Sequence, residues 1–162
     1  MSGEISSTLT IETPSVIMTE RRVPVQGSDR IAWRLSSLVI VVGRCRGRQT
    51  GTAVLQILIW ALRSSSNRKT FRSWWVGDRF LSTTRFRFDP QVDATVDLGL
   101  GIGLLELKHS GKLMLTEEGI RLSDSIWLAD GVMTQEKEFL LQLSRTISEA
   151  EVRRRLGWDE VS

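Results

Sequence analysis

The sequence predicts a mainly α-helical chain that carries one small β-hairpin. Three observations lead there. Apolar residues recur at helical spacing through most of residues 28–156. A single segment, residues 105–115, alternates with the period of two that a strand requires. Cap and stop residues then punctuate the helices: Asp89-Pro90, Thr116, Ser148 and Gly157.

Residues 1–27 are rich in Ser, Thr and Glu and include Pro14 and Pro24. They read as an extended arm, in which residues 8–11 alternate weakly. A first helix is expected after Ser28 and Asp29, which offer N-cap chemistry, and should close near Gly43 or Gly47. Ile31, Leu35, Leu38 and Val42 would form its inward stripe. A short basic connection, Arg44-Cys45-Arg46-Gly47-Arg48, follows.

The second helix, over 52–63, is apolar on nearly every side. Such a helix is either central to a core or covered by a partner or a second copy. Ser64 to Asn67 read as a turn, and a third helix is expected over 68–80. Residues 28–88 thus form a basic helical part.

A new unit opens at Asp89, because Pro at the first helical position after Asp is a strong helix start. This helix should run over 90–103 with Val92 and Val96 inward, and three glycines, Gly99, Gly101 and Gly103, loosen its end. Residues 105–108 and 112–115 form the hairpin, with Gly111 in the left-handed position. Pairing about Ser110 sets Leu105 opposite Leu115 and Leu107 opposite Leu113, all on one face. Lys108 and Lys112 would oppose each other near the tip. Thr116 caps a helix reaching about Asp130, with Glu117 and Glu118 in its first turn. Residues 131–162 supply two further helices that pack on the rest. In the second of these, Ser148 and Glu151 have capping-box spacing, and Ile147 and Val152 the spacing of a hydrophobic staple.

Charge divides along the chain. Residues 1–88 hold 14 Lys/Arg against 5 Asp/Glu, and residues 89–162 hold 8 against 14. The basic half suits nucleic acid or an acidic protein surface. One cysteine and one histidine allow neither an internal disulfide nor a four-ligand zinc site, and point to a reducing, cytoplasmic setting. No continuous apolar run approaches the ~20 residues of a membrane span, so no membrane association is expected. No secretory leader is visible in the first thirty residues.

Catalytic chemistry finds little to stand on. His109 sits at the hairpin tip, without the orienting partner and shielded site that general base catalysis needs. Cys45 lies among three arginines, which would lower a thiol pKa. The run from Gly99 to Gly103 has GxGxG spacing and closes a helix, whereas a dinucleotide fingerprint opens one. No cofactor and no metal are expected. Asp89, Asp93 and Asp97 recur every four residues as an acidic stripe along one helix side.

Two sets of binding residues emerge. Trp60, Phe71, Trp74 and Trp75, with Asp93 and Asp97, form the partner-binding set. Trp and Arg are the residue types that most often dominate protein interfaces. Phe71, Trp74 and Trp75 share one helix face and fit an ordinary core equally well. Arg44, Arg46, Arg48, Arg68, Lys69, Arg72, Lys108 and Lys112 form the candidate nucleic-acid-binding set.

The segment GLLELKHSGKLMLTEEG resembles winged-helix domains, in which a helix ending in Gly-Leu runs into a β-wing and then a Leu-Thr-x-x-Gly turn. The resemblance implies a winged-helix unit over 89–130. In DNA-binding members the helix before the wing enters the major groove and carries basic or amide side chains. Here residues 89–103 hold three Asp, one Gln and no basic residue, which favours a protein-binding use of the fold. A DNA-binding transcriptional regulator remains the alternative.

Over a longer span, four features are similar to the small middle component of ABC-three-component, Lamassu-like conflict systems. These are RLSSLVIVVGRCRGRQTGTAVLQILIWALRS, RFDPQVDATVDLGLGIGLLEL, the LTEEG turn, and EKEFLLQL with ISEAEV. That resemblance implies a non-catalytic accessory subunit of an anti-phage defence complex. It would bridge an SMC- or Rad50-like ATPase and an effector, with at most non-specific contact to DNA.

Overall fold

A computed structural model describes residues 27–77 and 87–158. Residues 1–26, which make up nearly all of the expected arm, residues 78–86 and residues 159–162 lie outside the described residues. The third helix, expected to reach residue 80, instead ends at Trp75, with Val76 as its C-cap. The described residues form seven α-helices and a three-stranded antiparallel sheet.

Helix α1 (Gly27–Arg44) is the axis of the molecule. Residues 37–42 are buried on every side, because α2, α4, α5 and α6 all pack around this half of the helix. Ile31, expected inward, is 48% exposed, since it precedes the point where those neighbours close in. A single 3-10 turn (Arg46–Arg48) leads to strand β1 (Gln49–Thr50).

Helix α2 (Thr52–Leu62) buries Val54 to Ile59, Ala61 and Leu62. The chain itself covers it, through α1, α3 and α7. The expectation that a partner or a second copy covers this helix is therefore withdrawn: its apolar circumference belongs to the core. One polar residue sits inside it. Gln56 is buried and donates Nε2 to the Asp89 carbonyl (3.2 Å) and to Asp93 Oδ1 (2.9 Å), while its Oε1 accepts from the Asp89 backbone N–H (3.0 Å). A buried amide must be satisfied in this way or its burial is costly.

Helix α3 (Ser65–Trp75) starts three residues earlier than expected. Ser64 is its N-cap, its hydroxyl accepting from the Asn67 N–H at 3.1 Å, so the polar run that reads as a turn is the first helical turn. Helix α4 (Pro90–Gly101) begins as predicted, with Asp89 accepting from the Gln91 N–H. Gly103 closes it at φ +79°: the Gly103 N–H bonds the Leu100 carbonyl and the Leu104 N–H bonds the Gly99 carbonyl, the paired closure that a left-handed glycine makes.

Strands β2 (Leu105–Leu107) and β3 (Leu113–Leu115) pair in the predicted register, Leu105 with Leu115 and Leu107 with Leu113. Three of the four leucines are buried. Leu107 is 63% exposed, since alternation fixes which face a side chain takes but not whether the core extends beneath it. Strand β1 adds to the far side of β3, with Gln49 opposite Met114 and Thr50 opposite Leu113, giving the order β1-β3-β2. The basic half thus contributes a strand to the sheet that holds the hairpin.

Thr116 caps helix α5 (Glu117–Leu128) through its hydroxyl, which accepts from the Gly119 N–H. Helix α4, the hairpin β2–β3 and helix α5 follow one another along the chain. Helix α6 (Thr134–Leu143) buries Phe139, Leu140 and Leu143. Helix α7 (Glu149–Arg155) follows Ser148, whose side chain makes no cap bond. Glu151 pairs with Arg155 instead, so the expected capping box is absent, although Ile147 and Val152 are fully buried where a staple would place them. Among the described residues no helix is long and apolar enough to cross a membrane.

Candidate functional site

The aromatic set divides. Phe71 is fully buried, edge-on to Phe139 with centroids 5.7 Å apart, and Trp75 is buried beneath it at 5.9 Å. Arg155 stacks over the Trp75 ring at 4.5 Å and donates to the Trp75 carbonyl, which fastens α7 to α3. Phe71 and Trp75 are thus core residues and leave the partner-binding set, because in this fold a partner cannot reach them. Trp60 and Trp74 stack on each other at 5.5 Å, nearly parallel, and both are half-buried at the edge of the same cluster.

The basic set divides as well. Arg68 is buried, donating to the Leu62 carbonyl (2.9 Å) and to Gln135 Oε1 (2.7 Å), so it is a structural clamp between α2, α3 and α6. Arg72 is exposed and lies over the Phe139 ring at 5.6 Å, and Lys69 is exposed on the same helix. At the wing the two lysines do not simply oppose each other. Lys108 pairs with Glu106 (2.6 Å) and Lys112 with Glu149 (3.5 Å), so each is offset by a carboxylate.

Arg44, Arg46 and Arg48 remain around the turn between α1 and β1. A residue that sequence reasoning missed joins them. The Arg46 N–H bonds the Ile147 carbonyl (2.8 Å) and the Ile147 N–H bonds the Arg44 carbonyl (2.9 Å). This short parallel bridge carries the loop between α6 and α7, and with it Arg145, against the basic turn. Arg44, Arg48 and Arg145 then line an open cleft of about 540 Å3 whose apolar wall is Met114 and Ile120. A smaller adjoining hollow of about 210 Å3 reaches Trp127 and Asp124 on α5.

Arg44 is half-buried there. Its guanidinium stacks over Trp127 at 5.3 Å and donates Nη2 to the Ser144 carbonyl (2.9 Å), while its Nε is buried without a partner among the described residues. Burial, and then the neighbouring charge of Arg145, lower its pKa. Cys45, whose pKa the neighbouring arginines were expected to lower, is buried instead. Desolvation, aided by the Glu149 carboxylate, outweighs a hydrogen bond with Thr50 and pushes its thiol pKa up to about 12, so it is a core thiol. His109 is exposed at the hairpin tip, as the sequence predicts.

The acidic stripe lies on α4. Asp89 is taken up by its N-cap role and by an ion pair with Arg63, and Asp93 accepts from Gln56. Asp97 is exposed, and around it Leu98 (39%) and Ile102 (53%) are also solvent-accessible. Comparison with protein-family models, with curated proteins and with solved structures finds no match to this chain.

Proposed function

We propose that this chain is a non-catalytic accessory subunit that bridges an SMC-like ATPase and an effector in an anti-phage defence complex, acting through protein–protein contacts in the cytoplasm. The partner identities rest on the sequence resemblance. One observation carries the docking mode. The helix that precedes the wing exposes Asp97, Leu98 and Ile102 and holds no basic residue. Phosphate contacts dominate affinity for DNA, and a helix bearing carboxylates repels them. An acidic and apolar face suits a partner segment that is basic and apolar. The ATPase is the occupant assigned to α4.

Co-expression with the SMC-like ATPase and effector of the same system tests this. Asp97→Lys combined with Ile102→Glu, both at exposed positions, should lower co-purification of the ATPase roughly tenfold or more, a loss of about 1.4 kcal/mol or greater. A wild-type chain that binds neither protein overturns the reading.

A further inference from the structure

We propose that the cleft between the basic turn and the loop joining α6 to α7 binds the phosphate backbone of a nucleic-acid strand, through Arg44, Arg48 and Arg145, with Arg46 extending the charge beyond it. This activity is separate from the docking assigned to α4.

Arg44, Arg48 and Arg145 line the cleft, Arg46 lies on the same turn beside it, and among the described residues none of the four forms an ion pair with a carboxylate. Arg63, Arg121, Arg153 and Arg155 have such a partner and, among the described residues, Arg34, Arg72 and Arg154 do not, so what distinguishes the four is their gathering at one place. Asp124 borders the hollow near Trp127, yet it pairs with none of the four. Like charges gathered without a counter-ion repel: burial lowers the pKa of Arg44, and the charge of Arg145 lowers it further. A bound anion removes that repulsion. The guanidinium fork matches phosphate oxygens in pairs, which a lysine cannot do.

Two further observations point to a ligand. Arg48 holds φ +54°, directly after Gly47 at +70°. A left-handed backbone is unfavourable for a side-chain-bearing residue, and such strain concentrates where it positions a functional group. Glycine is the residue that most readily takes such a backbone, and an arginine takes it here. Arg145 is brought to the same cleft from another part of the chain by a backbone bridge, so the cluster does not follow from one basic sequence run.

A polymer fits better than a small anion. The cleft is open, and Arg46 and Arg48 are exposed on a turn that projects past it. The positive charge therefore extends beyond the reach of one phosphate group. Met114, Ile120 and Trp127 offer apolar surface beside it, which suits sugar and base edges.

Fluorescence anisotropy of the full chain with a labelled duplex and with a labelled single strand tests the proposal. Wild type should bind at least one of them at about 50 mM salt. Neutralising three to four phosphates gives a slope of about −3 for duplex, or about a 60-fold loss of affinity by 200 mM. Arg48→Glu with Arg145→Glu should weaken binding roughly tenfold or more. Arg30→Glu with Arg87→Glu makes the same change in net charge at exposed positions outside the candidate nucleic-acid-binding set and should cost less than about half of that loss on a logarithmic scale. Arg48→Gly guards against misfolding: it removes one arginine while relieving the backbone, so its affinity should fall while its thermal midpoint holds or rises. Whichever probe binds identifies the strand type. The proposal is overturned if neither probe binds at the lower salt, if the cleft variant binds as wild type does, if the two charge-matched variants lose affinity equally, or if an acidic polypeptide displaces the strand as well as unlabelled nucleic acid does.

Discussion

Gly119 is the residue on which the junction between wing and α5 depends. A Cβ built there would lie 2.1 Å from the Leu104 carbonyl oxygen and 3.0 Å from Leu115 Cδ2. The obstacle is backbone, so it cannot rotate away. To restore an ordinary carbon–oxygen contact of about 3.3 Å, α5 must retreat by about 1 Å. That movement stretches the bonds that hold the junction: Thr116 N–H to the Leu104 carbonyl (3.1 Å), Gly119 N–H to the Thr116 hydroxyl (3.1 Å), and the Thr116 hydroxyl to the Gly103 carbonyl. Weakening them costs about 0.5–1.5 kcal/mol each, and overpacking costs about 1–3 kcal/mol. Alanine returns about 1 kcal/mol of helix propensity. The net is a destabilisation of about 2–6 kcal/mol, or a fall of roughly 4–24 °C in thermal midpoint for a domain of this size. Gly101→Ala is the matched comparison. It also ends in a helix, but no atom lies within 4 Å of its Cβ, so it should stabilise by up to about 1 kcal/mol. Thermal and urea denaturation followed by circular dichroism measures both. A Gly119→Ala chain as stable as wild type would refute the packing of α5 against Leu104.

Two further outcomes follow from the core. Phe71→Ala should cost about 3–5 kcal/mol in urea denaturation, because it empties a fully buried site between Trp75 and Phe139; a loss under about 1 kcal/mol would place α3 outside the core. Cys45 should resist an aromatic disulfide reagent at neutral pH in the native chain and react at once in denaturant, since its thiol pKa of about 12 keeps it protonated. The linked stability has a definite sign. Above the unfolded thiol pKa of about 8.5 the unfolded chain loses a proton that the folded chain keeps, so stability falls as pH rises from there towards 12, by up to about 1.4 kcal/mol per pH unit from this group. Cys45→Ala should flatten that part of the profile, and an unchanged profile would contradict the assigned burial.

What the sequence disclosed was local. Asp89-Pro90, Thr116 and the leucines of the hairpin act on neighbours a few residues away, and their cap bonds and strand register appear as expected. The apolar circumference of α2 offered core or interface, and only the packing of α1, α3 and α7 around it chose core. Gln56 illustrates the limit. A lone amide in an apolar helix is visible, but its partners at Asp89 and Asp93 lie in another helix. Strand β1 is two residues long, too short to alternate, and its pairing with β3 is a tertiary event. The same holds for the binding residues. Trp74 and Trp75 are adjacent in sequence, yet one lies at the edge of the cluster and the other inside it. Helical rotation of about 100° between them is enough to separate their fates. Arg145 reaches the basic turn only because Ile147 bonds Arg44 and Arg46.

The central claim is that the acidic, apolar face of α4 docks a protein partner. Its most direct measurement is the affinity of the purified chain for the SMC-like ATPase, wild type against Asp97→Lys with Ile102→Glu, by titration calorimetry. The account predicts saturable binding that the double variant weakens roughly tenfold or more while both chains melt at the same temperature. Equal affinity of the two chains, or no binding by wild type, would contradict it.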